Sequence, residues 1–135
     1  MRYKILEHAA DVKIRAFGAN REEVFINSAV GMMEYIYPHT KNFGVGVCQK
    51  EIIMAEGRDL ESLLVNWLSE ILYLSDVNGR VYFDFKILEF GEKAIKAEAQ
   101  SCLAAAEDDI KAVTYSELKI EKRGGGWAAE VVYDI

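Results

Sequence analysis

The residues best suited to chemistry sit at the two ends of the chain. Asp134 and Ile135 set a side-chain carboxylate beside a terminal carboxylate. Two hard oxygen donors so placed repel one another unless a cation or a basic group lies between them, and a third ligand would complete a metal site. Asp11 is the candidate for that ligand. It opens an alternating segment directly after Ala9-Ala10, and it would be an acid in a mostly apolar neighbourhood if the first and last strands pair. An all-oxygen set favours calcium or magnesium over zinc. From spacing alone the plainer account is that Asp11 caps a turn and Asp134 is a solvated tail residue.

Other chemistries lack their parts. The only histidines are His8 and His39, and no nucleophile-elbow pattern accompanies them, so a hydrolytic triad is not indicated. Gly124-Gly125-Gly126 is followed by strand-forming residues rather than a helix, which makes it a hairpin turn and not a phosphate cradle. Cys48 and Cys102 have no Cys-x-x-Cys spacing and read as reduced, half-buried thiols. His8 could orient a ligand or carry a proton, although a lone histidine beside a strand more often is simply hydrogen-bonded structure. Lys111 follows Asp108-Asp109 and serves equally as their surface ion-pair partner or as a functional cation.

The elements that must position these residues follow from periodicity. From Asp11 to Phe17, Val12, Ile14 and Ala16 alternate with Asp11, Lys13 and Arg15, the pattern of a half-buried strand. Asn20 can cap a helix over 21–36, with Phe25, Ala29, Met32, Met33 and Ile36 at helical spacing and Pro38 beyond its end. Residues 45–56 suit a strand with room for a bulge. Asp59 can cap a second helix whose wide apolar face (Leu60, Leu63, Leu64, Trp67, Leu68, Ile71, Leu72) opposes a polar stripe of Ser62, Asn66, Ser69, Glu70 and Tyr73, and which ends at Asn78-Gly79. Strands are expected over 81–90 and 94–99 as a hairpin, and over 118–121 and 127–133 around the glycine turn. Residues 101–110 are small and acidic and read as the mobile loop. The class is α+β: a mixed, largely antiparallel sheet with two helices on one face.

At 135 residues this is the size of one domain. Sixteen basic against twenty-two acidic residues give a net charge of −6, which opposes tight direct binding of nucleic acid. No segment has the length and apolarity of a membrane span, and the opening residues lack a signal-peptide run, so a cytoplasmic protein is expected.

Four stretches, in order, resemble the archease family: Tyr3 to Gly18 with Glu7-His8-Ala9-Ala10-Asp11, Leu60 to Leu74 with Leu63-Leu64 and Trp67-Leu68, Ile110 to Tyr115 (Ile-Lys-Ala-Val-Thr-Tyr), and the closing Tyr133-Asp134-Ile135. Each is weak alone; together they are specific and span nearly the whole chain. The resemblance implies a strand-helix-strand-strand module with added strands. It also implies a divalent cation, calcium in the first place, held by Asp11, Asp134 and Ile135. Glu7, His8, Glu70, Lys111 and Thr114 lie in the matching stretches and are candidates to support the ligands or touch a partner. The implied partner is an RNA ligase of the tRNA-splicing type, whose guanylylation and repeated turnover an archease promotes without ligase chemistry of its own. The chain departs from the family's usual pattern at Ala9 (commonly Thr), Asn66 (commonly Asp), Ser116 (commonly His) and over 101–106, where a Gly-Glu pair is expected. Two other functions remain compatible with the residues: a general protein-binding or chaperone module, and a small metal-dependent phosphoester hydrolase.

Overall fold

The computed structural model describes residues 1–7, 10–38 and 48–135. In chain order the elements are β1 (Tyr3–Glu7), β2 (Asp11–Gly18), α1 (Arg21–Ile36), β3 (Cys48–Glu56), α2 (Leu60–Asn78), β4 (Arg80–Phe90), β5 (Ala94–Leu103), β6 (Ala112–Val113), β7 (Lys119–Arg123) and β8 (Gly126–Asp134).

Local chemistry explains the helix bounds. The Asn20 side chain accepts a hydrogen bond from the Glu23 backbone N–H at 2.9 Å, and Glu22 and Glu23 lie in the first turn, where the positive end of the helix dipole favours acids. Asp59 accepts from the Ser62 backbone N–H at 2.8 Å while the Asp59 N–H donates to Ser62 Oγ at 3.1 Å, so both residues close a capping box. Gly79 ends α2 in the left-handed region, φ 63°, where a side chain would be strained. Between these caps α2 buries Leu63, Leu64, Trp67, Leu68 and Ile71 completely, and the Trp67 indole N–H donates to the Phe25 carbonyl at 3.0 Å.

The class is α+β, and among the described residues every strand pairing is antiparallel. The strands divide between two sheets. One runs β1-β2-β8-β6, with β7 also on β8; the other runs β3-β5-β4. Helix α1 packs on β1, β2 and β8 and reaches β4; α2 packs chiefly on β3 and reaches β6 and β7. Both helices are thus shared between the sheets, and a single core joins them. This is the physical use of the wide apolar face on α2: it has neighbours on more than one side.

Several expectations need correction. Strand β3 runs without a register break, and the irregularities fall in β4, between Phe83 and Lys86 and between Ile87 and Glu89, with Asp84 at φ 52°. Residues 45–47 lie outside the described residues. Strand β5 continues to Leu103, so Ser101 and Cys102 are buried sheet residues and not loop. Residues 104–111 do form a connecting loop, in which the Ala104 N–H donates to the Gly79 carbonyl at 3.1 Å, the Glu107 N–H donates to the Ile36 carbonyl at 2.9 Å, and Ile110 is buried. Finally, Cys48 and Cys102 are not free thiols. They stand opposite one another on β3 and β5, with Cα atoms 4.2 Å apart, and form a disulfide. Fifty-four residues separate them in sequence, and only the sheet register brings them together.

Candidate functional site: a cross-strand carboxylate pair

The first and last long strands of the larger sheet pair directly, and their register sets Asp11 opposite Asp134. Val12, Ile14 and Ala16 turn into the core, which places Asp11, Lys13 and Arg15 on the outer face. Directly opposed residues of an antiparallel pair share a face with Cβ atoms about 4.5–5.5 Å apart. The two carboxylates therefore project side by side from the sheet. Asp11 is half-buried and Asp134 exposed.

The frame around the pair is well held. Asp134 lies between two strands, with Asp11 of β2 on one side and Ala112 of β6 on the other. The Lys111 N–H donates to the Asp134 carbonyl at 2.7 Å. Thr114 clasps Val132 twice, with its backbone N–H at 3.0 Å and its Oγ1 hydroxyl at 2.8 Å from the Val132 carbonyl. Ile135 follows half-buried against the core, which fixes the direction of the main chain just beyond Asp134. Next along the strands, Arg15 Nε donates to Glu130 Oε1 at 2.6 Å. Burial of Glu130 works against its ionisation, but the hydrogen bond and charge of Arg15, with Lys13 and Lys119, outweigh it and hold this carboxyl below its ordinary value. Arg15 neutralises Glu130, whereas among the described residues neither Asp11 nor Asp134 has an ion-pair partner.

The remaining sequence candidates scatter. Glu7 stands opposite Val12, out of step with Asp11, and lies with Asp108 close enough to Tyr35 to add to the upward pKa shift that burial chiefly produces there. Glu70 lines a groove with Met54, Glu56, Asn66 and Ser69, on the side of α2 that faces β3. Lys111 pairs with neither Asp108 nor Asp109 among the described residues; the residue borders a cleft of about 320 Å³ with Ser69, Leu72, Tyr73, Asp76 and Val113. His8 lies outside the described residues, as does Ala9. Among the described residues no three His, Cys, Asp or Glu side chains converge, so the geometry supplies two carboxylates and leaves further ligands to main-chain oxygen, such as that of Ile135, or water.

Two of the departures have local consequences. The Asn66 Nδ2 donates to the Glu56 carbonyl at 2.7 Å, a bond an aspartate could not make. Ser116 uses its backbone N–H toward Thr114 Oγ1 at 3.2 Å, and its side chain is exposed. Two features of this region were not anticipated from the residues. The cleft beside Lys111 was foreshadowed only by the polar stripe Ser69 and Tyr73 on α2. Tyr133, next to Asp134, is fully buried with its hydroxyl unpartnered among the described residues, and burial pushes its phenol far up.

The fold and site together define a small α+β protein with an open carboxylate pair on a rigid sheet. The model of the Archease protein family matches residues 3–135. Curated relatives include the protein archease of Methanosarcina mazei, 43% identical over 99% of this chain and 96% of that protein, and that of Pyrococcus abyssi, 37% identical over 99% of each. Among solved structures, protein 1598 of Methanobacterium thermoautotrophicum superposes with a TM-score of 0.70 at 26% identity, covering 98% of both chains. A Thermotoga maritima protein described as an archease and possible chaperone superposes with a TM-score of 0.68 at 24% identity, over 100% of this chain and 98% of that one, and shares the fold. The chain belongs to the archease family. Among the described residues no helix is long and apolar enough to cross a membrane.

Proposed function

We propose that this protein is an accessory activator of an RNA ligase of the tRNA-splicing type, acting through a divalent cation, calcium in the first place, bound at Asp11, Asp134 and a main-chain oxygen of Ile135. The observation that carries the proposal is the register of β2 and β8, which sets side by side on one face two carboxylates with no ion-pair partner among the described residues. Each of the two side chains offers two hard oxygens, and calcium takes roughly six to eight such ligands at about 2.3–2.6 Å, so water or a partner's oxygens complete the shell. An ion held this openly can be shared with a partner.

At a ligase, a positioned cation would neutralise charge as the guanylyl group transfers, while the accessory protein carries out no bond-breaking of its own. Its net charge of −6 fits a protein that meets its partner rather than gripping RNA directly. The test is a multiple-turnover RNA ligation time course with the ligase of the same genome, run with substoichiometric amounts of this protein and calcium. The expected result is a rise from a single turnover to many, lost in Asp11→Ala and Asp134→Ala. An active ligase that ignores the protein would refute the activator role, and full activation by both variants would refute the cation's part in it.

A further inference from the structure

Strand β3 is the edge of the three-stranded sheet: it pairs with β5, and among the described residues no strand pairs with its other side. The direction of its free backbone groups can be worked out. Glu56 stands opposite Ala94, and the next residue, Gly57, donates its N–H to the Lys93 carbonyl at 3.0 Å. That pattern marks Glu56–Ala94 as a non-hydrogen-bonded pair, whose own N–H and C=O point away from the neighbouring strand. The 4.2 Å separation of the Cys48 and Cys102 Cα atoms has the same meaning at the other end, since non-hydrogen-bonded pairs stand about 4.5 Å apart and hydrogen-bonded ones about 5.5 Å. With no register break between the two, Lys50, Ile52, Met54 and Glu56 all turn their backbone groups to the open edge.

The side chains of these four residues are also the outward ones. Ile52 is 51% and Met54 64% exposed, adjacent apolar residues on a face where Lys50 and Glu56 are exposed as well. Unpaired edges with apolar side chains are templates for another strand. We propose that β3 pairs antiparallel with β3 of a second copy of this chain, about a two-fold axis at Ile53, joining two three-stranded sheets into one of six.

One register is singled out by charge. With Ile53 on the axis, Lys50 of each copy faces Glu56 of the other, Ile52 faces Met54, and the inward Glu51 faces Ala55. Centring on Glu51 would oppose two like carboxylates. Centring on Ile52 or Met54 would set Lys50 or Glu56 against apolar residues. Only the first arrangement pairs opposite charges at both ends of an apolar centre, the combination that stabilises cross-strand neighbours. It also matches the hydrogen-bonding residues of the two edges to one another. Asn66 holds the Glu56 carbonyl at 2.7 Å, which leaves that oxygen a second lone pair and concentrates the ladder on Ile52 and Met54. The contact is small, so the dimer is concentration-dependent rather than permanent. It involves the opposite sheet from Asp11 and Asp134 and does not depend on the cation or the ligase.

The experiment is sedimentation equilibrium over a wide concentration range on wild-type protein, Lys50→Glu, Glu56→Lys and the double swap. The wild type is expected to shift from one copy to two as concentration rises. Each single swap sets like charges at both ends of the ladder and weakens association at least several-fold; the double swap restores it. Lys50 also lies 3.9 Å from Glu98 within its own chain, a contact that Lys50→Glu and the double swap lose alike and Glu56→Lys keeps, so recovery in the double isolates the pairing between copies. A wild type that stays monomeric up to its solubility limit overturns the proposal. So does a dimer that all three variants form equally well, or one that the double swap fails to recover.

Discussion

Replacing Asp134 by Ala should stabilise the protein without calcium and destabilise it, relative to wild type, with calcium. In the free protein Asp134 faces Asp11 across the β2–β8 ladder with no basic partner among the described residues. Like charges directly opposite on a sheet cost roughly 0.2–1 kcal/mol, the lower figure where solvent and salt screen them. Asp134 is exposed and caps nothing, so truncation forfeits little packing. With calcium at about a hundred times its dissociation constant, the wild type gains about 2.7 kcal/mol by mass action and the variant does not. For a chain of this size a kilocalorie moves the melting temperature by roughly 3–5 °C. The variant should thus melt about 1–5 °C above wild type in chelator, while calcium raises the wild type by about 8–14 °C and reverses the order. Differential scanning calorimetry in chelator and in calcium reads both signs at once. Equal calcium shifts in the two proteins, or none in either, would refute the assignment of the ion to this pair.

Three further outcomes follow from particular contacts. Tyr133→Phe should leave stability unchanged or raise it by about 1 kcal/mol in urea unfolding, because a buried hydroxyl with no partner among the described residues bears a desolvation cost that Phe lacks; a loss larger than that would mean the hydroxyl is hydrogen-bonded in solution. Glu130 has its carboxyl pKa lowered in the fold, so its contribution is fully present above the unfolded value and is lost as pH falls through the folded one. Glu130→Gln should therefore flatten the acid limb of a stability-versus-pH curve below about pH 5, and an unchanged limb would contradict the Arg15 pairing. Gly126→Ala would set a Cβ 2.6 Å from the Gly18 carbonyl oxygen, backbone that cannot turn aside, and should cost about 1–3 kcal/mol in the same unfolding measurement; a neutral result would mean the hairpin end shifts freely.

Much of this architecture was legible in local patterns because the forces behind it are local. The caps at Asn20 and Asp59, the stop at Gly79 and the alternation of β2 depend on residues within a turn or two of one another. Strands β1 and β6 escaped notice because five and two residues carry too little periodicity. For Lys111 the residues leave a surface ion pair with Asp108 or Asp109 and a functional cation equally open, and only the fold shows that it pairs with neither among the described residues and lines a cleft beside α2. Glu7, close to a functional stretch in sequence, stands opposite Val12 rather than Asp11, and Glu70 lines the groove beside β3 with Met54 and Glu56.

What the sequence determined by itself was the identity of the elements and the presence of acids at both ends of the chain. Only the tertiary structure decided which residues meet across strands: Asp11 with Asp134, and Cys48 with Cys102. The reason is that side chains on a strand repeat every two residues, so any even shift of one strand along another buries the same faces and satisfies the same local pattern. Each such shift brings different partners together. Register is fixed by the packing of the whole core against both sheets, and it is register that places one carboxylate beside another more than a hundred residues away.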